Sequence, residues 1–243
     1  MILLIDAGNT RVKWRVVSTT SALQAVDEGA LAHDELGALT VVRQRHPGLR
    51  RALGCNVAGA LIAERLEAAC AGLGLEWLVP GAALAGVRNH YAAPAQLGAD
   101  RWAALIGARA LHPHACLVVT AGTATTVDLL SSGGDFLGGL IVPGVDLMLE
   151  SLARGTARLP LADGHFSLQP RCTVDAIRSG CLQAQAGAVE RMFRQIAGEA
   201  RATCLLGGGA ADSFADLLQI PVRRVDNLVL TGLGAIAAMP AAV

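Results

Sequence analysis

The chain opens with a short apolar run, Ile2 to Ile5, that a glycine turn stops. Beyond the turn, Val12 to Val17 alternates apolar and charged positions. An apolar run, a tight turn and an alternating run predict two antiparallel strands. Leu36 to Arg45 has a helical pattern, Arg51 to Val57 reads as a buried strand, and Leu61 to Leu73 is again helical. A short strand is expected at Glu76 to Val79. Next comes a helix from Leu97 to Leu111, whose first turn carries Gly-Ala-Asp-Arg. The opening pattern then recurs: from Cys116 the chain runs strand, glycine turn, strand, and Phe136 to Val142 adds a third strand. Helices are expected at Gly144 to Leu152, Val174 to Ala197, Ala210 to Leu218 and Val229 to Ala238. A strand at Ala202 to Leu206 ends in Gly207-Gly208-Gly209.

Strands alternating with helices indicate an α/β protein. The repeat refines this. Aligned, Leu3 to Val17 and Leu117 to Leu130 place Ala7-Gly8 on Ala121-Gly122, but Asp6 falls on Thr120. Two halves that open alike predict two domains of similar fold facing a cleft, residues 1-113 and 114-243, divided beside His112-Pro113.

Composition narrows the class. Of 243 residues, 53% are hydrophobic but only 3% aromatic, so small side chains should fill the cores. The longest charge-free run, Ala110 to Val127, contains two His, a Pro and four Thr, which excludes it as a membrane span. No signal peptide is expected, because Asp6 interrupts the early apolar run and no basic segment precedes it. Lys+Arg and Asp+Glu balance at 20 each, which points away from nucleic acid as a partner. The cluster Arg43, Arg45, Arg50, Arg51 reads as a solvated face. The six cysteines lack metal or CxxC spacing and read as buried small hydrophobes of a cytoplasmic protein.

The glycine turns carry the candidate chemistry. Gly8 lets the backbone approach a ligand closely, and successive N–H groups in such a turn can cradle an anion. Asn9 and Thr10 add short donors. Asp6 would repel phosphate but can hold Mg²⁺ or its waters, and Lys13 can offset phosphate charge. No segment matches the P-loop or the dinucleotide-binding fingerprint. Asp100 opens a helix, where it can serve as a cap or as a base towards an attacking hydroxyl. Tyr91, the only tyrosine, reads as a core aromatic or a substrate contact. Thr173, before a helix, reads as an N-cap.

The two hairpins and the late glycine turn resemble the acetate and sugar kinase/Hsp70/actin superfamily. Within it the chain is similar to type III pantothenate kinase. The motifs are Asp6-Ala7-Gly8-Asn9-Thr10, Gly98-Ala99-Asp100-Arg101, Gly122 to Asp128, Gly138 to Gly144 and Arg154 to Leu161, in order from residue 2 to about 235. Residues 52–58 and 100–102 resemble the Bvg accessory factor-like branch. The resemblance implies two ribonuclease H-like (actin-like ATPase) domains and ATP-dependent phosphorylation of pantothenate to 4′-phosphopantothenate. It implies ATP contacts from Asp6, Ala7, Gly8, Asn9, Thr10, Arg11, Val12, Lys13 and Thr123. Asp100 would be the catalytic base. Tyr91, Gly98, Ala99, Asp100, Arg101 and Thr173 would bind pantothenate, Thr173 reaching the site of the second subunit of a homodimer. Arg101 would face either the pantothenate carboxylate or a transferring phosphoryl group. Mg-ATP and a monovalent cation, K⁺ or NH₄⁺, are the implied cofactors. The family's second turn has an Asp at the cation position, where this chain has Thr120, so the cation is expected to be held weakly or dispensed with. Other readings are a non-catalytic nucleotide-binding accessory factor in transcription, or another small-molecule kinase or phosphatase of the superfamily.

Overall fold

The computed structural model describes residues 1–19, 21–157, 159–161 and 163–240. Arg158, inside the expected motif from Arg154 to Leu161, lies outside the described residues.

The chain divides into two compact units. The first comprises Met1–Pro113, Gly134–Phe136 and the segment from Asn227; the second comprises His114–Gly133 and Leu137–Asp226. The final helix thus packs with the first unit, not with the half it follows in sequence.

The first unit begins with β1 (Ile2–Ala7), β2 (Val12–Ser18) and β3 (Ser21–Leu31), an antiparallel meander. After α1 (Leu39–Arg45), β4 (Arg51–Asn56) pairs parallel to β1. After α2 (Ala60–Ala69), β5 (Leu75–Trp77) pairs parallel to β4, giving the order β3-β2-β1-β4-β5. A small hairpin, β6 (Ala83–Leu84) and β7 (Val87–Asn89), precedes α3 (Ala99–Leu111).

The second unit repeats the plan. Strands β8 (Cys116–Ala121) and β9 (Ala124–Leu130) form an antiparallel hairpin, and β10 (Asp135–Pro143) follows. Helices α4 (Val145–Gly155) and α5 (Thr173–Phe193) precede β11 (Thr203–Gly207), which is parallel to β8, and β12 (Val222–Arg224), parallel to β11. The order β10-β9-β8-β11-β12 is that of the first sheet. Each unit is a ribonuclease H-like domain of the actin-like ATPase type. The chain closes with α6 (Leu228–Ala237).

Alternation along the strands builds both cores. Leu3, Ile5 and Ala7 of β1 face Leu39, Val42, Ile62 and Leu66 from the helices beyond. Leu117, Val119 and Ala121 of β8 do the same with Cys181, Leu182, Val189 and Phe193. The opposite face of β1 carries Leu4 and Asp6. Leu4 approaches Gly234 of α6, and α6 lies tightly against α3. The two helices meet at Gly107 and Gly232, where a Cβ on Gly232 would collide with the Ala103 carbonyl and one on Gly107 with the Leu228 carbonyl.

Several expectations need correction. Strand β3 has no counterpart in the sequence reading. Only Ala22 of its residues is buried, so it lacks the alternation that marks a strand. The helix expected at Ala210 to Leu218 is two single 3₁₀ turns, Ala211–Ser213 and Ala215–Leu217, and the Ser213 hydroxyl bonds back to the Ala210 carbonyl. Five cysteines are buried, but Cys172 is exposed. The arginine cluster is a solvated face as expected, with Arg45 and Arg50 exposed and Arg43 and Arg51 partly so, and its side chains also tie to the fold. Arg43 donates to the Ala69 and Ala71 carbonyls, Arg45 pairs with Asp27, Arg50 bonds the Pro47 carbonyl, and Arg51 grips Glu76 with two nitrogens. No helix of the described residues is long and apolar enough to cross a membrane.

Candidate active site

In the first unit, Asp6 is the penultimate residue of β1, and the antiparallel register sets Lys13 directly across from it. The parallel register sets Cys55 on its other side. The Cys55 thiol donates to Asp6 Oδ1 at 3.6 Å. Because Asp6 shares a sheet face with Leu4, its carboxylate lies on the side that α3 and α6 cover. There it feels the charge of Asp100. Desolvation by burial is the largest influence and raises the Asp6 carboxyl to about 6; Lys13 pulls it down, Asp100 pushes it up, and the Cys55 bond lowers it. Burial, with Asp6 and Asp100 nearby, holds the Cys55 thiol well above its ordinary range, so it stays neutral. The fold thus gathers Asp6, Lys13, Cys55 and Asp100 in one place.

The turn after Asp6 is closed by its own backbone: the Gly8 N–H bonds the Arg11 carbonyl at 3.1 Å. Asn9, Thr10 and Arg11 are exposed, while Ala7 and Val12 are buried at the strand ends. The Gly8 carbonyl accepts from His33 Nε2 at 3.0 Å.

Asp100 stands in the first turn of α3. The N-cap, Gly98, has no side chain, and a Cβ there would fall 2.6 Å from Asp100 Oδ1. That clearance lets the Asp100 carboxylate fold back and accept from the Arg101 N–H at 2.8 Å. Asp100 is thus not the N-cap but a first-turn residue that satisfies the Arg101 N–H through Oδ1. Ala99 is the first helical residue. Arg101 is 6% exposed, and its Nη1 donates to the Tyr91 hydroxyl at 3.0 Å. Its guanidinium carbon lies 5.8 Å from the ring centroids of both Tyr91 and Phe136, within cation–π range. The two rings are 5.2 Å apart. Tyr91 is held in turn: its N–H bonds Asn89 Oδ1, and the Asn89 amide bonds the Pro94 carbonyl.

In the second unit, Gly122 N–H bonds the Ala124 carbonyl at 3.1 Å, closing a turn one residue shorter than the Gly8 turn. Thr123 is exposed at its tip, and its carbonyl accepts from the Gly144 N–H at 2.8 Å. Thr120 occupies the place of Asp6: it is the penultimate residue of β8, with Thr126 across the hairpin and Gly207 on the parallel neighbour. Asp128 is buried on the same sheet face as Thr120, two positions further from the turn. The third glycine turn folds against the second, with Ala210 N–H bonding the Ala121 carbonyl and Gly208 at φ +96°. Thr173 is exposed at the start of α5. The N-cap is Cys172, so the capping role expected of Thr173 is corrected.

Sequence reasoning missed three residues around these sites. Cys55 and Phe136 lie in expected strands, but only register and packing reveal their neighbours. His33 follows the strand that the apolar pattern did not disclose.

A family model described as type III pantothenate kinase matches residues 2–195. A type III pantothenate kinase of Aromatoleum aromaticum is 59% identical over 244 residues, covering 100% of both chains. One from Dechloromonas aromatica is 46% identical over 235 residues, covering 96% of this chain and 97% of that protein. Among solved structures, a Campylobacter jejuni protein assigned to the Baf family of transcriptional activators superposes with a TM-score of 0.61 at 19% identity, covering 96% of each chain. The activator of 2-hydroxyisocaproyl-CoA dehydratase from Clostridium difficile, with bound ADPNP, superposes with a TM-score of 0.54 at 13% identity, covering 97% of this chain and 92% of that one. At these identities the superpositions speak for the fold alone.

Proposed function

This chain belongs to the type III pantothenate kinase family, and from that premise we propose how its residues carry out ATP-dependent phosphorylation of pantothenate, the entry to coenzyme A biosynthesis. The observation that carries the reading is the meeting of Asp6, across from Lys13, with Asp100 at the head of α3. Two carboxylates close enough to perturb each other, beside one lysine, suit a phosphoryl transfer from Mg-ATP.

Asp100 is the proposed base. Its Oδ1 is fixed by the Arg101 N–H, and Oδ2 takes the proton of the primary hydroxyl as that oxygen attacks the γ-phosphate in line. Tyr91, Gly98, Ala99, Arg101 and, from the partner copy, Thr173 bind pantothenate. The Arg101 guanidinium, braced by Tyr91 and Phe136, offers a fixed planar fork to a carboxylate or a phosphoryl group.

The residues from Asp6 to Lys13, with Thr123, take the ATP phosphates. The donor set fits Mg²⁺ held through water. Asp6 is an oxygen ligand whose charge its protein neighbours leave undercompensated, since its pKa stands at about 6 despite Lys13. The ion's contribution is to neutralise phosphate charge. At Thr120 itself a neutral hydroxyl stands in place of the family's carboxylate, which supports a weak or dispensable site for K⁺ or NH₄⁺. The exposed Leu137, Leu140 and Ile141 of β10 and Leu147 of α4 support a homodimer, because a second copy would cover this apolar surface. The enzyme acts in the cytoplasm.

The deciding experiment is ADP release from Mg-ATP and pantothenate in K⁺, NH₄⁺ and Na⁺ buffers, with Asp100→Asn alongside. Pantothenate-dependent release is expected, lower by roughly 10²–10⁴ in Asp100→Asn, with ATP binding kept. ATP binding without release by the unmodified protein in any buffer would instead favour a non-catalytic accessory factor. Release with a different acceptor would favour another kinase of the superfamily.

A further inference from the structure

We propose that His33 is a positioning residue for the first phosphate turn, its imidazole fixing the direction in which the Asn9 amide points. This role rests on the reading of that turn as the grip on ATP.

Strand register delivers His33. Leu31, the last residue of β3, pairs with Val12, the first of β2. The residues after Leu31 therefore run alongside the turn that precedes Val12. The chain reverses there, between Ala32 and Glu35. Glu35 N–H donates to the Ala32 carbonyl at 3.0 Å, and Ala32 N–H donates to the Glu35 carboxylate at 3.0 Å. These two bonds fix the backbone on both sides of His33.

The His33 side chain then reaches Gly8. Its Nε2 lies 3.0 Å from the Gly8 carbonyl oxygen. A carbonyl only accepts, so Nε2 carries the proton in both the neutral and the charged ring. The Gly8 N–H is bound separately to the Arg11 carbonyl. Both polar groups of Gly8 are therefore tied, one by its own turn and one by His33.

In a trans peptide, a carbonyl and the N–H of the next residue point in opposite directions. The described residues contain no cis peptide bond. With the Gly8 carbonyl held towards His33, the Asn9 N–H is turned away from it and presented outward. Gly8 itself resists peptide rotation little, because it lacks a Cβ. The imidazole supplies the restraint that the glycine cannot. It holds one donor of the turn in the orientation an anion needs, so the donor does not have to be ordered on binding.

The test compares His33→Ala and His33→Gln with the unmodified protein. Kinetics are run against each substrate, and binding of a non-hydrolysable ATP analogue with Mg²⁺ is measured by calorimetry. His33→Ala should raise KM for ATP and Kd for the analogue about three- to tenfold, the worth of one hydrogen bond, and leave KM for pantothenate unchanged. His33→Gln, whose amide can donate to the same carbonyl, should recover most of the loss. Asp6→Asn is the companion variant and should weaken analogue binding. If it binds as tightly as the unmodified protein, the phosphate-turn reading itself fails. If Asp6→Asn weakens binding but His33→Ala does not, the role of His33 is overturned. It is equally overturned if His33→Ala raises KM for both substrates alike, or if glutamine restores nothing, because a general structural defect would do that.

Discussion

At the scale of single residues, Asp6 is held in its charged form at a cost. Its carboxyl binds a proton more tightly in the folded chain, at about 6, than at the ordinary 3.8. Its contribution to stability is therefore greatest below the unfolded value and is lost as pH rises through about 6. Replacing it by asparagine removes that cost. Asp6→Asn is expected to raise stability at pH 8 by up to about 3 kcal/mol, and by about half as much at pH 5, while turnover collapses. Urea unfolding at the two pH values checks this; an equal change at both would rule out the carboxylate as its source. Thr120 carries the opposite prediction. Thr120→Asp restores a fixed charge at the matching position of the second unit, so activity should become more strongly dependent on K⁺. An unchanged K⁺ titration would separate that position from the cation.

At the scale of elements, the site depends on how closely α3 can be held. Its first turn carries Asp100, and its midpoint meets α6 at Gly107 and Gly232. Gly232→Ala would drive a methyl group into the Ala103 carbonyl and force the helices apart. A loss of about 1–3 kcal/mol is expected, with a drop in kcat as Asp100 shifts from Asp6. Thermal unfolding together with kinetics tests this. A variant as stable and active as the original would show that the contact is slack. The elements also mark the limits of pattern reading. The strands β1, β2, β8 and β9 were legible because short apolar runs stop at conspicuous glycine turns and resume beyond them. Strand β3 was not, because it lies at the sheet edge and is mostly exposed. With β3 went His33, which no local pattern connects to Gly8.

At the scale of the whole molecule, the proposed shared site can be tested by mixing. If Asp100 and Thr173 serve one site from different copies, Asp100→Asn and Thr173→Val homodimers are each impaired. Their mixed dimers would contain one site with both residues intact. Mixing and re-equilibrating the two proteins should restore a fraction of the activity that neither shows alone. No recovery, with subunit exchange demonstrated, would place both residues in one copy's site or remove Thr173 from it.

The amino-acid order alone determined the duplicated hairpins, the glycine turns and the aspartate at the head of a helix, because turns and helix starts are set by residues close in sequence. It also revealed the exchange of Asp6 for Thr120, since aligned copies can be compared without a structure. Only the tertiary structure decided that Cys55 lies against Asp6, that Asp100 perturbs it, and that Phe136 braces Arg101. It also decided that the last helix joins the first unit. These facts depend on strand register and helix packing, where residues far apart in the chain meet because burying apolar faces leaves few arrangements open. Local sequence specifies those faces but not which partner covers them.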